Sequence, residues 1–212
     1  MKSRTLKEVH DDVPPDFYDT SIRTNYVQRL WHGRRFQKIC ELFSTVDGAM
    51  LDVGCDGATL TEKVGAKAGA QPVVGIDLSD KAVAYARKQR PQIDLAVADG
   101  EQLPFRESVF EAILCSEVFE HLEHPEVLLS EIRRCLKKDG YSLIVVPAET
   151  PLFKVLWFLW TRFGKGKVWR HAHVQDFGGD LLDRLVEDAG FRIVEDSAFV
   201  LGMLRAIKIS PA

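Results

Sequence analysis

From Ala49 to about Ile209 the chain alternates short apolar runs with helix-like stretches, and this alternation narrows the possible folds more than any other feature. Ala49 to Gly54, Pro72 to Asp77, Ile93 to Ala98, Phe110 to Ser116 and Tyr141 to Val146 read as strands. The stretches after Ala58, Ser79, His124 and Gly179 read as helices. Such a pattern predicts βαβ units around a parallel sheet covered on both faces. Two last apolar runs, Phe191 to Val194 and Leu201 to Ile209, stand too close for a crossover helix, so an antiparallel pair is expected at one edge. The expected fold is therefore doubly wound α/β, with a mostly parallel seven-stranded sheet and N-terminal capping helices.

Ahead of the sheet, Ile22, Tyr26 and Leu30 and then Phe36, Ile39 and Phe43 recur every three or four positions, predicting one or two amphipathic helices with a kink at Gly33. Residues 1–16 are polar and carry Pro14-Pro15, which predicts a flexible arm ahead of a single domain over 17–212. With 212 residues of which 46% are apolar, one hydrophobic core can be filled. Lys and Arg number 28 against 31 Asp and Glu, a net charge of −3, so no global basic field favours a nucleic-acid partner. Cys40, Cys55, Cys115 and Cys135 form no CxxC pair, which suits reduced thiols. No run resembles a signal peptide or a span of about 20 apolar residues, so a soluble, cytoplasmic protein is expected.

Three strand ends carry residues suited to binding. After the first strand, Gly54 and Gly57 remove Cβ atoms where the backbone turns, and the following helix aims free N–H groups at any anion there. The second strand ends in Asp77, Leu78 and Ser79. Its carboxylate can accept two ribose hydroxyls, or it can help Ser79 cap the next helix. The third ends in Asp99-Gly100, followed by Leu103 and Phe105, which could cover a base.

The segments LDVGCDGATL (51–60), VVGIDLS (73–79), ADGEQLPF (98–105), FEAILCSEVFEHL (110–122) and LKKDGYSLIVVP (136–147) resemble, in order and spacing, the core of class I S-adenosylmethionine-dependent methyltransferases. The type most similar is the methyltransferase-domain 11, ubiquinone-methyltransferase-like group. The resemblance implies S-adenosylmethionine as cofactor. It puts Asp52, Gly54, Asp56 and Gly57 around the methionine part, Asp77 with Leu78 at the ribose, Asp99 and Gly100 at the adenine, and Ser116 beside the sulfonium. The family usually has glycine where this chain has Asp56, and often where it has Ala58. A nicotinamide dehydrogenase would require G-x-G-x-x-G, but Asp56 and Thr59 stand where its second and third glycines belong.

Methyl transfer needs an aligned acceptor, exclusion of water and, for a protic acceptor, a base. His121 is the candidate base, with a role in holding the loop before Pro125 as its bland alternative. Glu117, Glu120 and His121 stand at i, i+3 and i+4, so one helical turn would gather them. With His173 they would make a divalent-metal set, similar to the E-x-x-E-H arrangement of metal-assisted small-RNA 2′-O-methyltransferases and to a motif of ubiquinone-type O-methyltransferases. Relatives without metal chemistry carry a similar E-H pair, so no metal ligand is assigned. An apolar insert at about 151–170, with Trp157, Phe158 and Trp160 before Arg162, Lys165 and Lys167, reads as a lid over the acceptor, a peripheral membrane contact or a subunit contact. The expected acceptor is a small molecule or lipid, methylated at oxygen. A protein or RNA acceptor, or a non-catalytic cofactor-binding regulatory module, is the alternative.

Overall fold

Strand β1 (Met50–Val53) is buried along its whole length because a parallel neighbour flanks it on each side, β2 (Val73–Asp77) and β4 (Phe110–Ser116). In the computed structural model, which describes residues 13–148, 150–163, 174–175, 177 and 179–212, these strands belong to one seven-stranded sheet. Its order is β3-β2-β1-β4-β5-β7-β6, where β3 is Asp94–Val97, β5 Leu136–Pro147, β6 Phe191–Phe199 and β7 Leu204–Pro211. Strand β7 runs antiparallel to both β5 and β6, which makes the expected edge pair.

Side-chain alternation divides the core into two layers. Leu51 and Val53, Ile113 and Cys115, Ile144 and Val146 point to one face and pack with Leu128, Leu129 and Ile132 of α5 (Pro125–Cys135) and Leu182 and Val186 of α7 (Leu181–Asp188). Met50, Ala112, Leu114, Leu143 and Val145 point to the other, where they meet Phe36, Ile39 and Leu42 of α2 (Tyr26–Leu42) and Leu60 and Val64 of α3 (Thr59–Ala68). Helix α4 (Asp80–Gln89) covers β2 and β3. Its N-cap is Ser79, whose hydroxyl accepts the Ala82 N–H at 3.3 Å.

The N-terminal helices differ from the sequence expectation at two points. The break between α1 (Phe17–Thr24) and α2 falls at Asn25, whose side-chain oxygen accepts the Val27 and Gln28 N–H groups, and α2 then runs unbroken through Gly33. Asn25 supplies the cap that ends one helix and starts the next; Gly33 has no such role. Tyr26 and Leu30 sit on the exposed side of α2, whereas Phe36, Ile39 and Phe43 are buried as expected. At the hairpin, Val200, Leu201 and Gly202 take positive φ and form the turn, so β7 starts at Leu204. Val13, within the arm expected to be loose, is buried.

Candidate active site

The C-terminal ends of β1, β2 and β4 surround a cavity of about 400 Å³ at the point where the strand order reverses, the usual ligand position in an open α/β sheet. Asp52, Gly54, Asp56 and Gly57 line it from the first strand and its turn, Asp77 and Leu78 from the second, Asp99 and Gly100 from the third, and Ser116 from the fourth. The amides of Gly54 and Cys55 both donate to the Ile76 carbonyl at 2.9 Å, clamping the turn to β2. Gly54 holds φ 73, and a Cβ there would stand 2.5 Å from Val118 Cγ2, so only glycine fits. Asp56 and Ala58 hold φ 45 and 59, adopting without glycine the left-handed backbone that glycine adopts easily.

Asp77 ties two loops together. One carboxylate oxygen accepts the Asp56 N–H at 2.9 Å and the other the Ser79 N–H at 2.8 Å. Each oxygen keeps a second lone-pair direction for a ligand hydroxyl. Asp52 accepts the Thr61 hydroxyl at 2.6 Å; burial, reinforced by the Asp77 charge and only partly opposed by Thr61, lifts its carboxyl to about 7. Burial and then the Asp77 charge likewise lift Asp56 to about 7. Asp56 Oδ2 and Ser116 Oγ are buried with no hydrogen-bond partner among the described residues. Buried carboxylates short of a cation, orphaned polar atoms and an open cavity suit a ligand that brings positive charge and hydroxyls. S-adenosylmethionine, with its ammonium, sulfonium and ribose, meets that requirement.

Helices α1 and α2 roof the cavity with Phe17, Tyr18, Trp31, His32, Arg35 and Phe36. Arg35 is buried, ion-paired with Glu117, and lies 5.4 Å from the Tyr18 ring centroid and 5.0 Å from that of Phe36. Burial lowers its guanidinium's pKa and raises that of the Tyr18 phenol. His32 donates or accepts at Gln28 over 2.9 Å, and burial, followed by the Arg35 charge, drives its imidazole down to about 3, so it stays neutral. His32 and Arg35 escaped the sequence reading, although polar residues three apart on the inner face of an amphipathic helix are the signal that could have found them.

A second latch holds α1 in place. The Asp19 carboxylate accepts Thr59 Oγ1 at 2.7 Å, the Tyr85 hydroxyl at 2.8 Å and Arg90 Nη2 at 3.1 Å. Arg90 also donates to the Gly57 carbonyl at 2.8 Å, reaching the turn that follows β1.

Two expectations are corrected here. Leu103 and Phe105 do not line the cavity: Arg134 donates to both their carbonyls, Glu131 accepts the Leu103 N–H, and Phe105 packs edge-on against Phe110. The loop is thereby pinned to α5. Glu117, Glu120 and His121 do not share a helical turn. Glu117 holds φ 58 outside the short 3-10 turn Phe119–His121, and its carboxylate is engaged by Arg35. No group of three or more His, Cys, Asp or Glu able to hold a metal occurs among the described residues, and His173 lies outside them. Glu120 and His121 themselves are buried and line the cavity. Of the insert, Phe153, Leu156, Trp157 and Trp160 on α6 (Pro151–Phe163) line it as well, with Phe153 and Trp157 stacked at 5.6 Å; Lys165 and Lys167 lie outside the described residues.

A family model described as a methyltransferase domain matches residues 51–144. The chain is 35% identical over 105 residues to a ubiquinone biosynthesis O-methyltransferase of Pelagibacter ubique, covering 48% of this chain and 42% of that protein. To a demethylmenaquinone methyltransferase of Renibacterium salmoninarum it is 32% identical over 145 residues, covering 68% and 58%. The chain thus spans about half the length of the curated relatives it matches. In fold it is similar to magnesium protoporphyrin IX methyltransferase from Synechocystis, solved with bound S-adenosylhomocysteine, at TM-score 0.74 and 16% identity over 98% of each chain. The family match falls on the strand ends that build the cavity, and the chain belongs to the class I S-adenosylmethionine-dependent methyltransferases, of the ubiquinone-methyltransferase-like type.

Proposed function

We propose that this protein binds S-adenosylmethionine and transfers its methyl group to the oxygen of a small, apolar, hydroxyl-bearing acceptor such as a quinol. The observation that carries this reading is the mixed lining of one cavity. Carboxylates at three strand ends line it together with Trp31, Phe153, Trp157 and Trp160. Acids suit the cationic, hydroxylated cofactor; aromatics suit a flat apolar acceptor. The two curated relatives are named for O-methylation in ubiquinone biosynthesis and for methylation of demethylmenaquinone, which supports the acceptor class.

In this reading Asp77 holds the ribose hydroxyls, Asp99 and Gly100 the adenine, and Asp52, Asp56 and the Gly54 to Gly57 turn the methionine end. The bound cofactor supplies an activated methyl on a sulfonium that leaves as a neutral thioether. The Arg35–Glu117 pair and Phe153, Trp157 and Trp160 of α6 exclude water from the acceptor side. His121, on the 3-10 turn at the cavity wall, removes the acceptor's hydroxyl proton as the oxygen attacks.

Calorimetry with S-adenosylhomocysteine tests the cofactor half, and transfer of labelled methyl from S-adenosylmethionine to a short-tailed quinol tests the acceptor half. Binding and labelling of the quinol oxygen are expected. Failure to bind the nucleoside would overturn the whole reading, and binding without transfer to any phenolic probe would overturn the acceptor.

A further inference from the structure

Residues that both line the cavity and reach solvent mark its mouth. Gly54 and Asp99 are among them, and two are large and apolar: Val27 on α2, 69% exposed, and Leu156 on α6, 45% exposed. Each belongs to an exposed apolar face. On α2 it comprises Tyr26, Val27 and Leu30; on α6, Leu152, Val155, Phe158, Leu159 and Phe163, the last 75% exposed. Exposed apolar area of this extent on two helices beside one opening is unusual for a surface that faces only water.

Apart from Glu41 near the end of α2, the charges on these helices have one sign. Arg29 and Arg34 lie on the outer side of α2, and Lys154 and Arg162 on α6. Helix α6 has no Asp or Glu, and α2 has none before Glu41. This occurs in a chain whose net charge is −3, so these two helices carry an excess of cations against the overall balance. Arg29 lies 6.0 Å from the Tyr26 ring centroid and Arg162 5.8 Å from that of Phe163, placing guanidinium groups beside aromatics that can enter a headgroup layer. No helix among the described residues is long and apolar enough to cross a membrane, so the contact would lie along the surface.

We propose that the outer faces of α2 and α6 dock on an anionic lipid bilayer, with the cavity mouth opening onto the membrane so that an apolar acceptor enters from the lipid. The docking rests on exposure and charge alone; only the delivery of acceptor rests on the function proposed above. Apolar residues on both sides of the opening would displace headgroups while the cations hold phosphate, and an acceptor leaving the bilayer would pass from lipid to aromatic lining without crossing water.

Sedimentation with phosphatidylglycerol-containing vesicles and with pure phosphatidylcholine vesicles tests this, for wild type, Phe158→Ser/Phe163→Ser and Arg29→Gln/Arg34→Gln. None of the four substituted residues lines the cavity, so S-adenosylhomocysteine binding by calorimetry should be unchanged and reports that each variant is folded. Failure of that binding in wild type would strike the proposed function and leave the docking test intact. Wild type should bind the anionic vesicles more tightly and lose binding as salt rises. The arginine pair should weaken it about 30-fold, and the phenylalanine pair at least tenfold. Absence of binding to anionic vesicles, equal and salt-insensitive binding to both kinds, unchanged binding by both variants, or self-association that consumes these faces would each overturn the proposal.

Discussion

Replacing Asp19 by alanine should release α1 from the roof without touching the cavity, because Asp19 itself does not line it. Its carboxylate accepts two hydroxyls and a guanidinium, and Arg90 is only 9% exposed. Bonds to a charged acceptor contribute about 1.5–3 kcal/mol each when well buried, but Asp19 is 28% exposed, and an exposed ion pair adds about 0–1 kcal/mol. After that discount the loss is on the order of 2–4 kcal/mol. Burial by itself would raise the Asp19 pKa, yet Thr59, Tyr85 and Arg90 together outweigh it and lower it. The stabilisation is therefore present above the usual carboxylate range and lost as pH falls through the depressed value. If opening of α1 is local, its amide hydrogen exchange should accelerate by about 30- to 1000-fold in the variant while β1 and β4 amides stay protected. Affinity for S-adenosylhomocysteine should fall because Phe17 and Tyr18 move with α1. Unchanged exchange in α1 together with unchanged affinity would refute the latch.

Asp77→Ala should weaken cofactor binding and also destabilise the fold by about 1–3 kcal/mol, since it leaves the Asp56 and Ser79 N–H groups without their acceptor; a variant that binds as wild type would remove Asp77 from the site. Because Asp52 and Asp56 are lifted to about 7, they hold protons in the ligand-free fold that a cationic ligand should expel, so S-adenosylmethionine affinity should fall as pH drops from 8 to 6. Calorimetry in buffers of different ionisation enthalpy would register those protons, and identical heats in all of them would contradict the shift. The same two groups make the ligand-free fold lose stability as pH rises from about 4 to about 7, because there the folded state binds more protons than the unfolded one. His121→Gln should lower kcat by about 10²–10⁴-fold and flatten the pH dependence of transfer with cofactor affinity intact; a proportional fall in cofactor affinity alone would mark His121 as structural.

The parts of this molecule that could be read from sequence are those where burial is two-sided. In β1, β4 and β5 consecutive residues pack against opposite layers, so their apolar runs are continuous, and the strand ends, with Asp52 on β1, Ser116 on β4 and Asp77 on the neighbouring β2, fall where the chain must turn. Periodicity failed where it reports residue type but not burial: Tyr26 and Leu30 have helical spacing with Ile22, yet they face outward. It also failed where a distant residue decides. Leu103 and Phe105 belong to the third motif, but Arg134 and Glu131, about thirty residues on, hold that loop against α5. The spacing of Glu117, Glu120 and His121 was misleading for a local reason, since a single positive φ at Glu117 takes it out of the turn.

That positive φ belongs to a pattern. Asp56, Ala58 and Glu117 are three of the non-glycine residues with left-handed backbone; Asp56 and Glu117 line the cavity, and Ala58 caps the helix that begins beside it. Each costs on the order of 1–2 kcal/mol relative to an ordinary conformation, and aspartate bears it more easily than alanine. The surroundings offset part of the cost. The Ala58 methyl is fully buried with Ala86 and Ile93, worth about 0.8 kcal/mol, the Asp56 N–H is fixed by Asp77, and Glu117 is held by Arg35. Glycine in place of Asp56 or Ala58 would cross freely between left- and right-handed backbone. Here Asp77 on the Asp56 N–H and Arg90 on the Gly57 carbonyl hold the turn, so, with the cofactor site proposed above, less backbone entropy should be lost on binding than with glycine.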